Sequence, residues 1–254
     1  METTYKRYVR NRIYLDYSQQ EVIKETPILI AGCGIGSVIA ECALRLGFEN
    51  LTIIDGDIVE ESNLNRQNFI EKDISQSKVE AIKLRLEQIN SKASIKIHNC
   101  FITEENLLQF VKDHEIAINA LDFSSAVPLL FDKLCQENDI PVLHPYNIGW
   151  GGLVAVITPD GAGLDAIVRP GRKFNEIEFV EYALSHLAFW GNPQQWATEV
   201  LNSYIAEDGD IPPPQLSIGS WLVASMCTSI LFDISTGGQI KKFPDFYFSS
   251  IKES

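Results

Sequence analysis

The stretch ILIAGCGIGS, Ile28 to Ser37, most narrows what this chain can fold into, because an apolar run of strand length leads straight into three closely spaced glycines. A strand, a tight turn and a helix in that order open a βαβ unit. Further apolar runs of strand length lie at 51–55, 94–98, 115–121 and 141–148. Between them, Gly36 to Leu46, Ser77 to Ile89, Glu104 to Val111 and Ser124 to Glu137 carry helical periodicity, with Ser77, Thr103 and Ser124 as candidate N-caps. The alternation predicts an α/β fold, a doubly wound, Rossmann-like, mostly parallel sheet with helices on both faces.

The second part of the chain reads differently. Gly152 to Ile157 is a further strand, followed by a Pro159-Asp160-Gly161 turn, so the sheet is expected to continue with antiparallel strands. From Asn175 the pattern is helical, with Ile177, Val180, Ala183, Leu184 and Leu187 on one apolar face, until Pro212-Pro213-Pro214 breaks the chain. The expected organisation is an α/β region over 1–158 and an antiparallel and helical extension over 159–254, both within one compact domain. Phe189, Trp190 and Trp196 in that extension are read as core aromatics, with a docking surface as the alternative.

Acidic residues outnumber basic ones 34 to 21, for a net charge of −13. Such a chain repels phosphate backbones and anionic lipid, so neither nucleic acid nor membrane is an expected partner. No apolar run follows the basic N-terminal residues as a leader would require. The five cysteines are scattered without a C-x-x-C pair, which argues against disulfides and a zinc site and for a cytoplasmic protein with reduced thiols. Leu216 to Phe232 carries no charge, and small residues recur at Gly219 and Ser220, Ala224 and Ser225, and Thr228 and Ser229. A buried or dimer-interface helix fits this stretch better than a membrane span of marginal length.

Chemistry concentrates near the first turn. Gly32, Gly34 and Gly36 can turn backbone N–H groups and a helix dipole toward an anion, although G-x-G-x-G is one residue shorter than the dinucleotide fingerprint. Asp55 ends the second strand, where a carboxylate can accept ribose hydroxyls. An NAD enzyme and an ATP enzyme fit equally to this point. Arg66 and Lys78 favour ATP, since phosphoryl groups undergoing transfer need preorganised cations. Lys78 also opens a helix, against the macrodipole preference, which suggests a nearby anion. Each taken alone reads as a solvated surface charge. Asp122 ends an apolar strand at the carboxyl edge and could hold magnesium, or cap the next helix.

Taken in order, RYVRNRIYL, ILIAGCGIGS, GFENLTIID, then Asp57 to Gln67 (DIVEESNLNRQ), SKVEA and INALD resemble the ThiF and MoeB type adenylyltransferases, relatives of ubiquitin-activating enzymes, over roughly the first 155 residues. The resemblance implies ATP-dependent adenylation of the C-terminal carboxylate of a small ubiquitin-like or sulfur-carrier protein with a Gly-Gly type end. It implies that Asp55 binds ribose beside Asp57, that Asn63, Arg66, Gln67 and Lys78 surround the phosphates, and that Asp122 binds Mg2+. Arg10 would act in trans across a homodimer. Three departures stand out: the short glycine turn, Leu121-Asp122-Phe123 where the family has T-D-N, and no paired C-x-x-C for zinc.

Cys33, in the turn, is read as a filler, Cys135 and Cys227 as core thiols, and no covalent thioester step is expected. His98, His114, His144 and His186 form no constellation. The rivals are a nucleotide-binding scaffold subunit without turnover, a variant activating a small-molecule or tRNA-borne carboxylate, and, more distantly, an NAD-linked oxidoreductase.

Overall fold

The computed structural model describes residues 6–168, 174–207 and 211–252. Seven strands form one sheet: β1 (Pro27–Ala31), β2 (Asn50–Ile54), β3 (Ser94–His98), β4 (Ile116–Asn119), β5 (Val142–Asn147), β6 (Gly151–Ile157) and β7 (Phe246–Ser250). Their order is β3-β2-β1-β4-β5-β6-β7. The first five run parallel, whereas β6 and β7 are antiparallel, as anticipated for the change of pattern after Asn147. β7, which sequence reasoning missed, returns from near the end of the chain to pair with β6, so both 1–158 and 159–254 contribute to one sheet.

The helices are α1 (Tyr17–Glu25), α2 (Ile35–Leu46), α3 (Lys78–Ile89), α4 (Leu107–Val111), α5 (Val127–Glu137), α6 (Glu176–Phe189), α7 (Gln195–Ile205) and α8 (Ser217–Ser235). Because strand side chains alternate faces, β1 feeds two cores. Ile28 and Ile30 pack with Val38, Val79, Val223 and Leu231 of α2, α3 and α8. Leu29 and Ala31 pack on the other face with Phe131 of α5 and Phe179 of α6. Burial on both faces is why β1, β4 and β6 read as continuous apolar runs.

Helix starts depart from the expected caps. α4 begins at Leu107, whose N–H donates to Thr103 O at 3.0 Å, while Asn106 Oδ1 accepts the Thr103 N–H at 2.8 Å, so Thr103 serves this start through its backbone. α5 begins at Val127, where Pro128 suits the first turn, and the Val127 N–H meets Ser125 Oγ instead of Ser124. Ser77 does precede α3, but its hydroxyl is buried without a partner, and the Lys78 N–H donates to Asp57 O at 3.0 Å. Sequence reasoning also missed α1, which opens on a capping box of Asp16 and Gln19.

α8 is long and apolar enough to cross a membrane by length and composition alone, with 44% of its apolar window buried inside the protein. Its buried face, Gly219, Ser220, Val223, Ala224, Cys227, Thr228, Ile230 and Leu231, lies against α2, β5 and β6. A Cβ at Gly219 would stand 2.1 Å from Asn147 Oδ1, so only glycine lets the helix start this close to β5. The aromatics of the extension part ways with the expected core. Trp196 is half-buried, but Phe189 and Trp190 are 81% and 70% exposed. α6 spends its buried face on Phe179, Ala183 and Leu184, and its last residue and C-cap project beyond that contact.

Candidate functional site

At the carboxyl ends of β1, β2 and β4 the glycine turn meets the Asp55–Lys78 segment. Gly32 has φ +94°, and a Cβ there would sit 2.3 Å from Ala120 O, so the turn presses against the end of β4. Gly34 caps α2 and faces the Gln67 side-chain amide, while a Cβ on Gly36 would stand 2.8 Å from Ile30 Cγ2. Although one residue short, the turn keeps three separate demands for glycine: left-handed backbone, open space for a facing group, and close packing of helix on strand.

Asp55 braces this turn. Its Oδ2 accepts the Cys33 N–H at 2.6 Å and its Oδ1 accepts the Asp57 N–H at 2.7 Å. Each carboxylate oxygen keeps a further lone pair. Lys78 is buried, yet its ammonium lies 2.9 Å from Asp57 Oδ2, so the cation that opens α3 has an anion within the chain. Cys33 is fully buried; desolvation first, then Asp55, pushes its thiol up, with Lys78 opposing. Burial likewise raises Cys135 and Cys227, which sit in the two cores.

The 60–68 loop hangs from α2. Asn68 donates its backbone N–H to Ser37 Oγ at 3.0 Å and its amide to buried Glu41 at 2.6 Å, and Glu41 also accepts from Arg45 and Arg85. Asn63 is buried as a turn former, its Oδ1 accepting the Glu60 N–H. Gln67 holds its Oε1 buried and unpaired beside Gly34. Arg66 is steered from far away: its Nε donates to Gln215 Oε1 at 2.7 Å, and its Nη1 to Ser62 O and Asn65 Oδ1. Desolvation lowers the Arg66 guanidinium, and Asp122 pulls the other way.

Asp122 follows the end of β4 and is exposed. Desolvation is the largest cause raising its carboxyl, followed by the charge of Glu176; Lys78 lowers it, and Asp57 and Asp55 raise it again. Those couplings tie Asp122 to the same cluster as Asp55, Asp57, Arg66 and Lys78. Arg10 is not brought to this cluster. It is exposed in a short 3-10 turn, Val9–Asn11, whose neighbours Tyr8 and Asn11 bond Leu44 O and Leu46 O at the far end of α2, a helix length or roughly 16 Å from the glycine turn.

Two residues of the site were not found by sequence reasoning. Gln215 follows the proline triplet, and Glu176 opens α6 after the Asn175 cap. No local spacing links either to the glycine turn. Glu176 accepts the Phe123 N–H at 3.0 Å, across the chain from Asp122. Among the described residues no group of three or more His, Cys, Asp or Glu side chains is arranged to hold a metal ion unaided. Magnesium keeps several waters and takes one or two carboxylates, so Asp122 is a donor of suitable chemistry.

A sheet of this order, with a glycine turn, a strand-end carboxylate and two cations on its carboxyl edge, is a doubly wound α/β arrangement, the class in which ligands bind at the carboxyl ends of the strands. The chain belongs to the ThiF family, whose model matches residues 5–241. It is similar to the molybdopterin-synthase adenylyltransferase of Haemophilus influenzae (31% identity, 60% of this chain and 64% of that one). The sulfur carrier protein ThiS adenylyltransferase of Bacillus subtilis shares 31% over 60% of this chain and 47% of its own length. A tRNA threonylcarbamoyladenosine dehydratase of the same organism shares 29% over 54% and 55%. The chain thus spans about half to two thirds of the length of these relatives. Among solved structures, E. coli MccB with MccA superposes over 100% of this chain and 73% of that one with a TM-score of 0.72 at 19% identity. PaaA does so over 99% and 81% with a TM-score of 0.70 at 20% identity. Such identities speak for the fold.

Proposed function

We propose that this protein is an ATP-dependent adenylyltransferase that activates the C-terminal carboxylate of a small ubiquitin-like or sulfur-carrier protein. The observation that carries the reading is the convergence of Asp55, Arg66, Gln67, Lys78 and Asp122 on one glycine turn in a ThiF-family chain. Asp55 would accept the ribose hydroxyls with its remaining lone pairs. The turn amides, the Gln67 Nε2 group that faces Gly34, Arg66 and Lys78 would donate to the triphosphate oxygens. Magnesium on Asp122 would shield the phosphate charge.

In the reaction the carrier carboxylate oxygen attacks the α-phosphorus. A new acyl O–P bond forms, the bond from the α-phosphorus to the β-phosphate bridging oxygen breaks, and pyrophosphate leaves. The residues of this chain position two anions against their mutual repulsion. Arg10, remote from the site of its own chain, would complete the site of a second copy in a homodimer.

The test is magnesium-dependent exchange of pyrophosphate into ATP with a panel of small carriers ending in Gly-Gly. Exchange is expected with one of them, and Lys78→Ala and Asp122→Ala are each expected to reduce it by about 100-fold or more. ATP binding without exchange across the panel would make the chain a scaffold subunit, and preference for NAD would overturn both readings. The similarity to a tRNA-modifying dehydratase favours one second reading, a small-molecule or tRNA-borne carboxylate. That variant predicts exchange that no carrier protein stimulates.

A further inference from the structure

We propose that Glu176 is a positioning residue for Asp122, fixing from the far half of the chain the backbone that carries this carboxylate. The inference rests on the role given to Asp122 above. β4 ends at Asn119, and beyond Ala120, whose N–H still reaches Ala31 O, the chain leaves the sheet. From there the backbone N–H groups on either side of Asp122 are held by side chains. The Leu121 N–H donates to Asn119 Oδ1 at 3.3 Å, and the Phe123 N–H donates to Glu176 Oε1 at 3.0 Å.

These two holds differ in kind. Asn119 belongs to a buried local network: its amide donates to Pro128 O and to Asp132, and Asp132 meets His144 Nε2 at 2.8 Å. It anchors the strand end to α5 and β5. Glu176 arrives from a separate element. Its place at the start of α6 is set by Asn175, which accepts the Glu178 N–H at 2.9 Å, and Phe123 and Phe174 meet edge to face at 4.7 Å beside it. A hydrogen bond and a ring contact therefore join the same two pieces of chain.

A carboxylate is a strange choice for this task on electrostatic grounds, because its charge acts on Asp122, which Asp55 and Asp57 already oppose. A charged acceptor, however, binds a backbone N–H about twice as strongly as a neutral one. The arrangement gives up some electrostatic comfort at Asp122 for a firmer hold on the backbone next to it. Removing the acceptor would free the 121–123 turn and misplace the Asp122 carboxylate, the kind of small displacement that costs heavily in a site built on positioning.

The experiment separates position from charge. In nucleotide-free protein, E176A should speed hydrogen–deuterium exchange at the Phe123 amide by about tenfold. E176D, which keeps the charge but shortens the reach, should do the same, whereas E176Q, which keeps the acceptor, should stay within about threefold of the parent. In pyrophosphate exchange, E176A should lower kcat and raise the magnesium requirement, each by about tenfold, and E176Q should restore both. Unchanged Phe123 exchange in E176A and E176D would overturn the proposal. So would an E176Q protein that protects Phe123 yet is as impaired as E176A, since the carboxylate itself would then act on metal or substrate. If E176A fails to fold, the E176D and E176Q pair decides. Because amide exchange is read without nucleotide, a parent protein inactive with every carrier would sink the adenylation reading and leave this measurement standing.

Discussion

The near and far halves of the site reach the same spot by opposite means. The near half, Gly32 to Gly36 with Asp55 to Lys78, is assembled by short connections at strand ends, and its bonds close between neighbouring turns: Asp55 to Cys33 and Asp57, Lys78 to Asp57. The far half contributes single side chains from across the chain, Gln215 onto Arg66 and Glu176 onto the residue after Asp122. The near half supplies the groups that would touch nucleotide. The far half bears on where Arg66 and Asp122 stand, which implies that binding capacity and catalytic alignment can be damaged separately.

The sharpest way to break that division is to disturb the near half. Gly32→Ala forces a side chain into left-handed backbone and onto Ala120 O, so it should destabilise the protein by at least about 2 kcal/mol in denaturant titration and abolish ATP binding in calorimetry. A folded Gly32→Ala protein with normal ATP affinity would mean that the turn does not contact nucleotide. A disturbance of the far half should be milder. Gln215→Ala releases Arg66 Nε but leaves its bonds to Ser62 and Asn65, so KM for ATP should rise about three- to tenfold with kcat nearly kept. A kcat collapse in steady-state kinetics would place Arg66 in the chemical step instead.

The smallest effect concerns Asp122 in the absence of nucleotide. Its carboxyl is raised in the folded state, so ionisation opposes folding; that penalty is complete well above the folded value and disappears as pH falls below the unfolded one. Because Asp122 is exposed, solvent screens this penalty, and Asp122→Asn should raise the melting temperature by no more than about 1 °C at pH 8, with the gain shrinking as pH approaches about 4. An equal gain at both pH values would trace the stabilisation to packing and not to charge.

The same division governs what could be read from sequence. β1, β4 and β6 were legible because both faces are buried and the residues run apolar without interruption, and Asp55 and Asp122 because strand-end carboxylates follow such runs. α1 was missed: six of its nine residues are Gln, Glu, Ser or Lys, and it buries only Gln20 and Ile23. β7 was missed because its pairing with β6 spans most of the second half of the chain. Phe189 and Trp190 were misread since apolar character alone does not say which way a helix end points. Glu176 and Gln215 left no local signature, because a hydrogen bond between residues 53 or 149 positions apart obeys the fold and no spacing.

The pairing of buried Lys78 with Asp57 has one more consequence. Without nucleotide the ammonium is already matched, and Asp57 remains about half exposed, able to turn into water. Phosphate entering here exchanges one counterion for another and need not neutralise a bare cation. A weak monoanion would gain little by displacing a carboxylate already in contact, whereas a polyphosphate presenting several oxygens at once would gain at each of its donors. On the proposed reading, selectivity for a highly charged ligand would thus be built into the resting protein, as a threshold that a competitor must exceed.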